Sequence, residues 1–399
     1  MTHSSATASA PHPALPPLYK DPNLYMIFCV TFMVVMGVAS ISPSLPGMVR
    51  ALGIPPEQVG LVITAFTVPG VLFLPLTGAL ADRLGRKQVL VPSLLVFGVA
   101  GFACGFARDF TTLLVLRFAQ GIGGASLGML NITLISDLYS GPRRVQALGL
   151  NASILSIGVA VYPLIGGMLA TFGWYAPFFL PLVAVPLAGV VWFKLESPVT
   201  PSRQTMGAYF SSTLRGLSTR RAVGCLASSL ASFIIIYGPF ITFMPLLLDR
   251  DFHAPPFLIG CLMGAPSVFT ATTASQLGRI RRHARDSTLV IVSFVIQAVA
   301  IGIIPFIPSL WLLIVPAMLI GLSNGINIPS IQGILAELAP PQQRAGVMAA
   351  NAFTLRLGQT LGPLCMGMLF TLGDMRAVYL GGAAVAVAMF FVSMALIRE

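Results

Sequence analysis

Apolar residues run along this chain in blocks of roughly 20, the length that carries an α-helix across the hydrocarbon core of a bilayer. Short charged or Gly/Pro-containing breaks separate the blocks. Twelve can be read, near residues 24–46, 58–80, 89–107, 112–135, 146–171, 174–194, 223–247, 257–277, 288–307, 309–336, 346–372 and 375–396. Blocks of this length predict helices, since a membrane strand needs only about 9–11 residues. Residues 1–22 form a polar Ser/Thr/Ala/Pro tail, and the first apolar block is as long as a full span, so it is expected to stay as the first helix rather than be cleaved as a leader.

The longest polar break after that tail covers residues 195–222 and divides the blocks into two sets of six. The reading is therefore a cytoplasmic tail (1–22), a six-helix bundle (23–194), a linker (195–222) and a second six-helix bundle (223–399). A constant offset of 200 residues aligns the two bundles: Pro55, Pro56 and Gly60 fall on Pro255, Pro256 and Gly260, and Gly78 on Gly278. Further along, Gly121 falls on Gly321, Asp137 on Glu337, Arg144 on Arg344, Asn151 on Asn351, Gly158 on Gly358 and Pro163 on Pro363. Six is an even number, so both halves begin on the same side and the repeats run parallel, related by an axis along the membrane normal. The predicted fold is all-α integral membrane, with twelve transmembrane helices in two parallel-repeat six-helix bundles.

Composition agrees. The 399 residues are 56% hydrophobic and 9% charged, against about 25% charged for an ordinary soluble domain. The net charge of +11 would suggest a nucleic acid or an acidic partner if it were spread over a soluble surface, but its distribution points to topology instead. On these spans 17 of the 23 Lys and Arg lie on one side, in the segments holding Arg83, Arg86, Lys87, Arg143, Arg144, Arg279, Arg281, Arg282, Arg285 and Arg344, in the linker and at both ends of the chain. The opposite loops hold Arg50, Arg108, Arg250 and Arg376. The positive-inside rule then places both termini in the cytoplasm. The five cysteines are scattered inside apolar blocks, so neither a disulfide framework nor a metal site is expected.

The break after the second block reads Gly78-Ala-Leu80-Ala-Asp82-Arg83-Leu-Gly85-Arg86-Lys87. Gly78 suits close helix approach, Gly85 a tight turn, and Asp82 a helix N-terminus, where the dipole favours negative charge. This segment resembles the GxLxDRxGRK motif of the major facilitator superfamily. The resemblance implies that Asp82 caps the eleventh helix and that Arg86 pairs with an acid at the cytoplasmic end of the fourth, here Asp137. Gly78, Asp82, Arg83, Gly85, Arg86 and Asp137 would then form a latch for the outward-facing state. In the second half Arg282 stands where Asp82 does, so only one latch is complete.

In the fourth block, Arg117 followed by Gln120, Gly121, Gly123, Gly124 and Ala125 resembles the family's second motif. Arg117 lies roughly 9 Å into its helix. An arginine at the bilayer centre costs on the order of 3 kcal/mol, so it is expected to face protein or a water-filled path. Arg117, Gln120, Gly124 and Asn131 are spaced to share one helix face, and the tenth helix repeats the polar stripe with Asn324 and Asn327. Arg356, about ten residues into the eleventh block, is the deepest charge. With Tyr237 on the seventh, these residues are the candidates for coupling and for lining a substrate cavity; the resemblance implies a part for Arg117 in proton coupling.

The fifth block carries Gly158, Pro163, Gly166 and Gly167, and the eleventh carries Gly358, Gly362 and Pro363. Small residues let backbones approach closely, and proline bends a helix, so these positions are read as hinges or seals. They resemble the third motif, found in the drug:proton antiporter branch, although Tyr162 stands where that motif has glycine.

None of the three lysines follows a glycine, so the phosphate-binding loop of an ATP-driven pump is absent. No Asp, Glu or His lies in the middle of any block, so Asp82, Asp137 and Glu337 at the cytoplasmic helix ends are the remaining candidates for carrying a proton. Two embedded arginines without an embedded carboxylate favour an anionic or neutral substrate over a lipophilic cation. The expectation is a secondary transporter of the cytoplasmic membrane that exports small amphipathic or anionic molecules by alternating access and exchanges them for protons. It is expected to act as a monomer without cofactor, metal or nucleic acid. Uptake of a small metabolite is the alternative within transporters; a non-transporting sensor or a membrane enzyme would need an output domain or a catalytic cluster that the sequence lacks.

Overall fold

Proline, glycine and polar caps set where each apolar block starts and stops. The computed structural model describes residues 18–196, 219–340 and 343–398; the tail expected over 1–22 and the linker expected over 195–222 lie mostly outside them. The first half comprises α1 (Pro22–Leu52), α2 (Leu61–Leu84), α3 (Arg86–Cys104), α4 (Phe110–Leu138), α5 (Gly141–Ala170) and α6 (Ala176–Lys194). The second comprises α7 (Arg220–Phe252), α8 (Pro256–Ile280), α9 (Asp286–Phe306), α10 (Leu310–Leu338) and a final helical run, Arg344–Leu396.

That last run holds 53 residues, about twice what a bilayer requires. Gly373 and Asp374 leave helical geometry inside it, Asp374 at φ 59°. The break divides the run into α11 (344–372) and α12 (375–396), giving the twelve spans the sequence predicts. Arg250, near the end of α7, holds this corner by bonding both carboxylate oxygens of Asp374 at 2.7 Å.

Local chemistry explains the other ends. Asp21 caps α1 by accepting from the Asn23 amide at 2.9 Å, and Asp109 caps α4 through Thr112 at 2.8 Å. Prolines 43 and 46 tighten α1 into a 3₁₀ turn at Ser42–Ser44, and Gly53 closes it in the left-handed conformation. In α7 the residues Ile236–Phe243 form a π-helical stretch around Pro239, a wide turn that rotates the remainder of α7 away from the course of a regular helix.

Packing follows the repeat. Within the first half α4 packs on α2 and α3, and α1 on α5; within the second α10 packs on α8 and α9, and α7 on α11. The halves meet chiefly along two pairs, α5 with α8 and α2 with α11, which the 200-residue offset exchanges, and the end of α1 also meets α7 and α8. The exterior is apolar, unlike that of a soluble protein: Phe193 is 83% exposed and Leu372 81%, while Arg117, Gln120 and Asn327 lie fully buried among a largely hydrophobic interior. The apolar exterior suits lipid, and the polar groups sit where partners can satisfy them.

Candidate functional site

Among the described residues the close contacts between the halves gather toward one face. A Cβ added to Gly60 on α2 would lie 2.9 Å from the backbone oxygen of Pro363 on α11, and Gly260 on α8 rests in the same way on the oxygen of Pro163 on α5. Gly167 packs on the oxygen of Pro256, and a Cβ at Gly367 would come within 2.5 Å of the Glu57 oxygen. Ser42 donates to the Ile241 oxygen at 2.5 Å, and Arg50 is ion-paired with Asp249. Deeper in, Thr360 donates to the Thr67 hydroxyl at 3.0 Å, and Thr64 to the Thr360 oxygen at 3.2 Å. All these contacts lie toward the end carrying Arg50 and Arg250; that face is sealed.

Toward the arginine-rich end the facing helices part. The face of α5 that carries Gly167, Leu164 and Ala160 continues one and two turns on through Ser156 and Ser153. The face of α8 that carries Gly260 and Gly264 continues through Ala271 and Ser275. Ser153, Ser156, Thr272 and Ser275 are exposed, and each hydroxyl bonds a carbonyl of its own helix. Polar side chains are therefore exposed where these two faces continue toward the arginine-rich end, and we read the space between them as a cleft.

Arg356 stands at its apex. Its guanidinium reaches from α11 toward the first half, with the Cδ 3.7 Å from where a Cβ of Gly70 would be and the Nη2 3.0 Å from where one of Gly128 would be. It donates to Gln359 Oε1 at 3.2 Å, and Gln359 donates from Nε2 to the Tyr237 hydroxyl at 3.0 Å. Tyr237 is at the start of the π stretch of α7 and stacks on Phe233, with ring centres 5.8 Å apart.

Arg117 occupies a different setting. It is fully buried within the first half, donating to the Val62 oxygen at 3.1 Å and to Gln120 Oε1 at 2.7 Å. Its guanidinium lies 4.5 Å from the centre of the Phe66 ring and 5.9 Å from that of Phe178. Aromatic faces and a carbonyl replace the carboxylate that a buried cation ordinarily needs. The Nη2 of Arg117 and the Nε2 of Gln120 have no hydrogen-bond partner among the described residues.

The expected polar stripe of α4 is divided between neighbours. Arg117 and Gln120 face α2, α3 and α6, whereas Asn131 donates to Thr31 of α1, and Thr31 donates to Asn151 of α5 at 2.5 Å. In the second half Ser229 donates to Asn351 at 2.6 Å, Ser232 to Asn327 at 3.1 Å, and Asn327 to Ser293 at 2.5 Å. Asn324 accepts from Gln297 at 3.3 Å. Ser229, Ser232, Phe233, Asn327 and Asn351 line a narrow polar crevice between α7, α10 and α11.

At the α2–α3 turn Gly85 has φ 104°, a conformation that glycine supplies at least cost. Gly78 packs against the Met129 side chain of α4. Arg86 pairs with Asp82 one turn away and with Asp137 Oδ2 at 3.2 Å, while Arg83 is exposed. The capping of α11 by Asp82 is not realised here: the first turn of α11 has no side-chain cap, and the Asp82 carboxylate is engaged by Arg86. Glu337 is exposed.

The predicted hinge positions are tight contacts. Gly166 packs on the Ser40 oxygen, Gly158 on Phe32 and Val35, Gly358 on the Leu230 oxygen, and Gly362 on Ile234 and Gly238. Gln359 was missed, yet a signal existed: Arg-x-x-Gln occurs at 117–120 and again at 356–359, and i, i+3 spacing brings such a pair together on a helix. Asp249 and the Thr64, Thr67 and Thr360 hydroxyls were missed as well; nothing local marks them.

Two six-helix halves meeting on one face over a polar cleft define a membrane carrier of small molecules. The family model described as Major Facilitator Superfamily matches residues 27–282 and 226–399, and the chain belongs to that superfamily. It is 24% identical over 389 residues to the bacillibactin exporter of Bacillus subtilis (strain 168), covering 93% of this chain and 95% of that one. It is 26% identical over 378 residues to the multidrug efflux protein YfmO of the same organism, covering 90% and 89%. Its fold is similar to a bacterial homolog of the human lysosomal transporter Spinster in an inward-facing, unoccupied conformation, with TM-score 0.77, 15% identity and 96% of each chain covered.

Proposed function

We propose that this transporter is an exporter that carries small amphipathic or anionic molecules out of the cytoplasm by alternating access, in exchange for protons. The observation that carries this reading is the cleft that opens on one face and ends at Arg356, beneath a seal on the other. The excess of arginine around the cleft mouth supports placing that face and both termini in the cytoplasm, so that the cleft is in its loading state. Export draws support from the two Bacillus subtilis relatives, named for export and efflux. The two halves, 23–194 and 223–399, would rock as units about the seam, with the 195–222 segment joining them. The path lies within one chain, so a monomer suffices.

Proton exchange rests on the motif resemblance, with Asp82, Asp137 and Glu337 as the carboxylates close to the cleft mouth. The test is flux in inside-out vesicles under an imposed proton gradient, with anionic, neutral and cationic compounds. Gradient-driven accumulation supports the exchange; uptake indifferent to the gradient for every accepted compound removes it.

A further inference from the structure

We propose that Arg356, Gln359 and Tyr237 form a charge-reading subsite for an organic anion, a carboxylate, sulfonate or phosphate group carried on a flat aromatic body. This rests on reading the cleft as the transport path, and it names the class of cargo the cleft takes.

Depth is the first ground. Arg356 is 12 positions into α11, roughly 18 Å from its start, which puts its charge near the middle of a hydrocarbon core about 30 Å thick. A cation there is tolerated when a partner or water compensates it. Among the described residues no carboxylate lies within ion-pairing distance of Arg356; its hydrogen-bond partner is the neutral Gln359. A guanidinium has five N–H donors in a planar fork that fits a carboxylate or a phosphate; among the described residues the fork bonds Gln359 alone, which leaves donors for a ligand.

The contrast with Arg117 sharpens the assignment. Both arginines bond a glutamine three residues on, but Arg117 is also held by a backbone oxygen and lies over the faces of two aromatic rings. Arg117 is compensated by its own half and closed to ligand. Arg356 sits where α2 and α11 part, one turn below the Thr360–Thr67 contact. An anion rising through the cleft meets it as the last charge before the seal.

The surroundings hold the fork in place. A side chain at Gly128 would intrude at 3.0 Å from Nη2, so a glycine on α4 admits the arginine of the opposite half. The Tyr237 hydroxyl accepts from the Gln359 amide nitrogen, which turns the amide oxygen toward Arg356. Tyr237 and Phe233 stack with an interplanar angle of 15°, presenting a flat aromatic wall beside the charge. That pairing of a cation with an aromatic wall selects an amphipathic aromatic anion.

The test uses the full chain in lipid nanodiscs and two probes of nearly equal shape, naphthalene-2-sulfonate and its neutral twin naphthalene-2-sulfonamide, titrated at pH 7.5. The wild type should bind the sulfonate at least tenfold more tightly than the sulfonamide. R356Q should lower sulfonate affinity to that of the sulfonamide while leaving the sulfonamide unchanged, which also shows that the cleft is intact; R356K should fall between. No sulfonate preference in the wild type, a preference that survives R356Q, or equal loss of both probes in R356Q would each overturn the assignment. A preference found alongside gradient-independent flux would keep the subsite and remove proton exchange.

Discussion

Gly60 of the first half lies under the backbone oxygen of Pro363 of the second, and the pair displaced by 200 residues, Gly260 and Pro163, repeats the contact with the halves exchanged. These four positions are among the residues that make the internal repeat visible. Their shared chemistry has a shared use, since each glycine brings one half against the main chain of the other.

Alanine at Gly260 would place a methyl group into the Pro163 oxygen, so the sealed face should close less completely. Overpacking of this kind costs about 1–3 kcal/mol, enough to move a closed-to-open ratio by roughly one to two powers of ten. The readout is labelling of a cysteine introduced at Thr67, in a chain lacking its native cysteines, by a membrane-impermeant thiol reagent added from the sealed side. G260A should raise the labelling rate by about tenfold or more.

Arg50 and Asp249 bridge the halves at the rim of that face, where their side chains are 61% and 27% exposed. Exposed pairs contribute about 0.2–1 kcal/mol, so D249N should raise Thr67→Cys labelling by at most about fivefold, less than G260A does. High salt should bring the wild type toward the variant, and the exchanged pair R50D/D249R should restore slow labelling.

Loss of the Arg117 cage should appear as instability, not as altered charge preference. Lysine has neither the planar fork nor the ring stacking of arginine, and a desolvated cation–π contact contributes about 2 kcal/mol. R117K should lower the thermal midpoint of the reconstituted protein by several degrees while the ratio of sulfonate to sulfonamide affinity stays at its wild-type value.

Asp137 meets Arg86 at the α4 end of the cleft mouth. If this carboxylate carries the exchanged proton, D137N should abolish gradient-driven flux at wild-type expression while probe binding persists. Gradient dependence equal to wild type in D137N would return the pair to a purely structural part.

The helices were legible because a bilayer imposes one length on every span, and the two halves because an insertion-free offset kept Gly60, Gly158 and Pro163 in register with their mates. The cleft was not legible. Most spans are apolar on nearly all sides, so their sequences do not say which flank turns to lipid and which to the partner half. That is why Arg117 and Arg356, each followed three residues later by glutamine, read alike in the sequence and occupy opposite settings. The π stretch of α7, which sets Tyr237 against Gln359, had Pro239 as its only local sign, and proline marks kinks of several kinds.

The seam between the halves is made largely of main-chain oxygens against glycine α-carbons, whereas the cleft beneath it is lined by side chains. Closure and cargo choice therefore reside on different atoms. A scaffold arranged this way can exchange its recognition surface, Arg356 included, for one suited to another solute without redesigning the machinery that keeps the membrane tight.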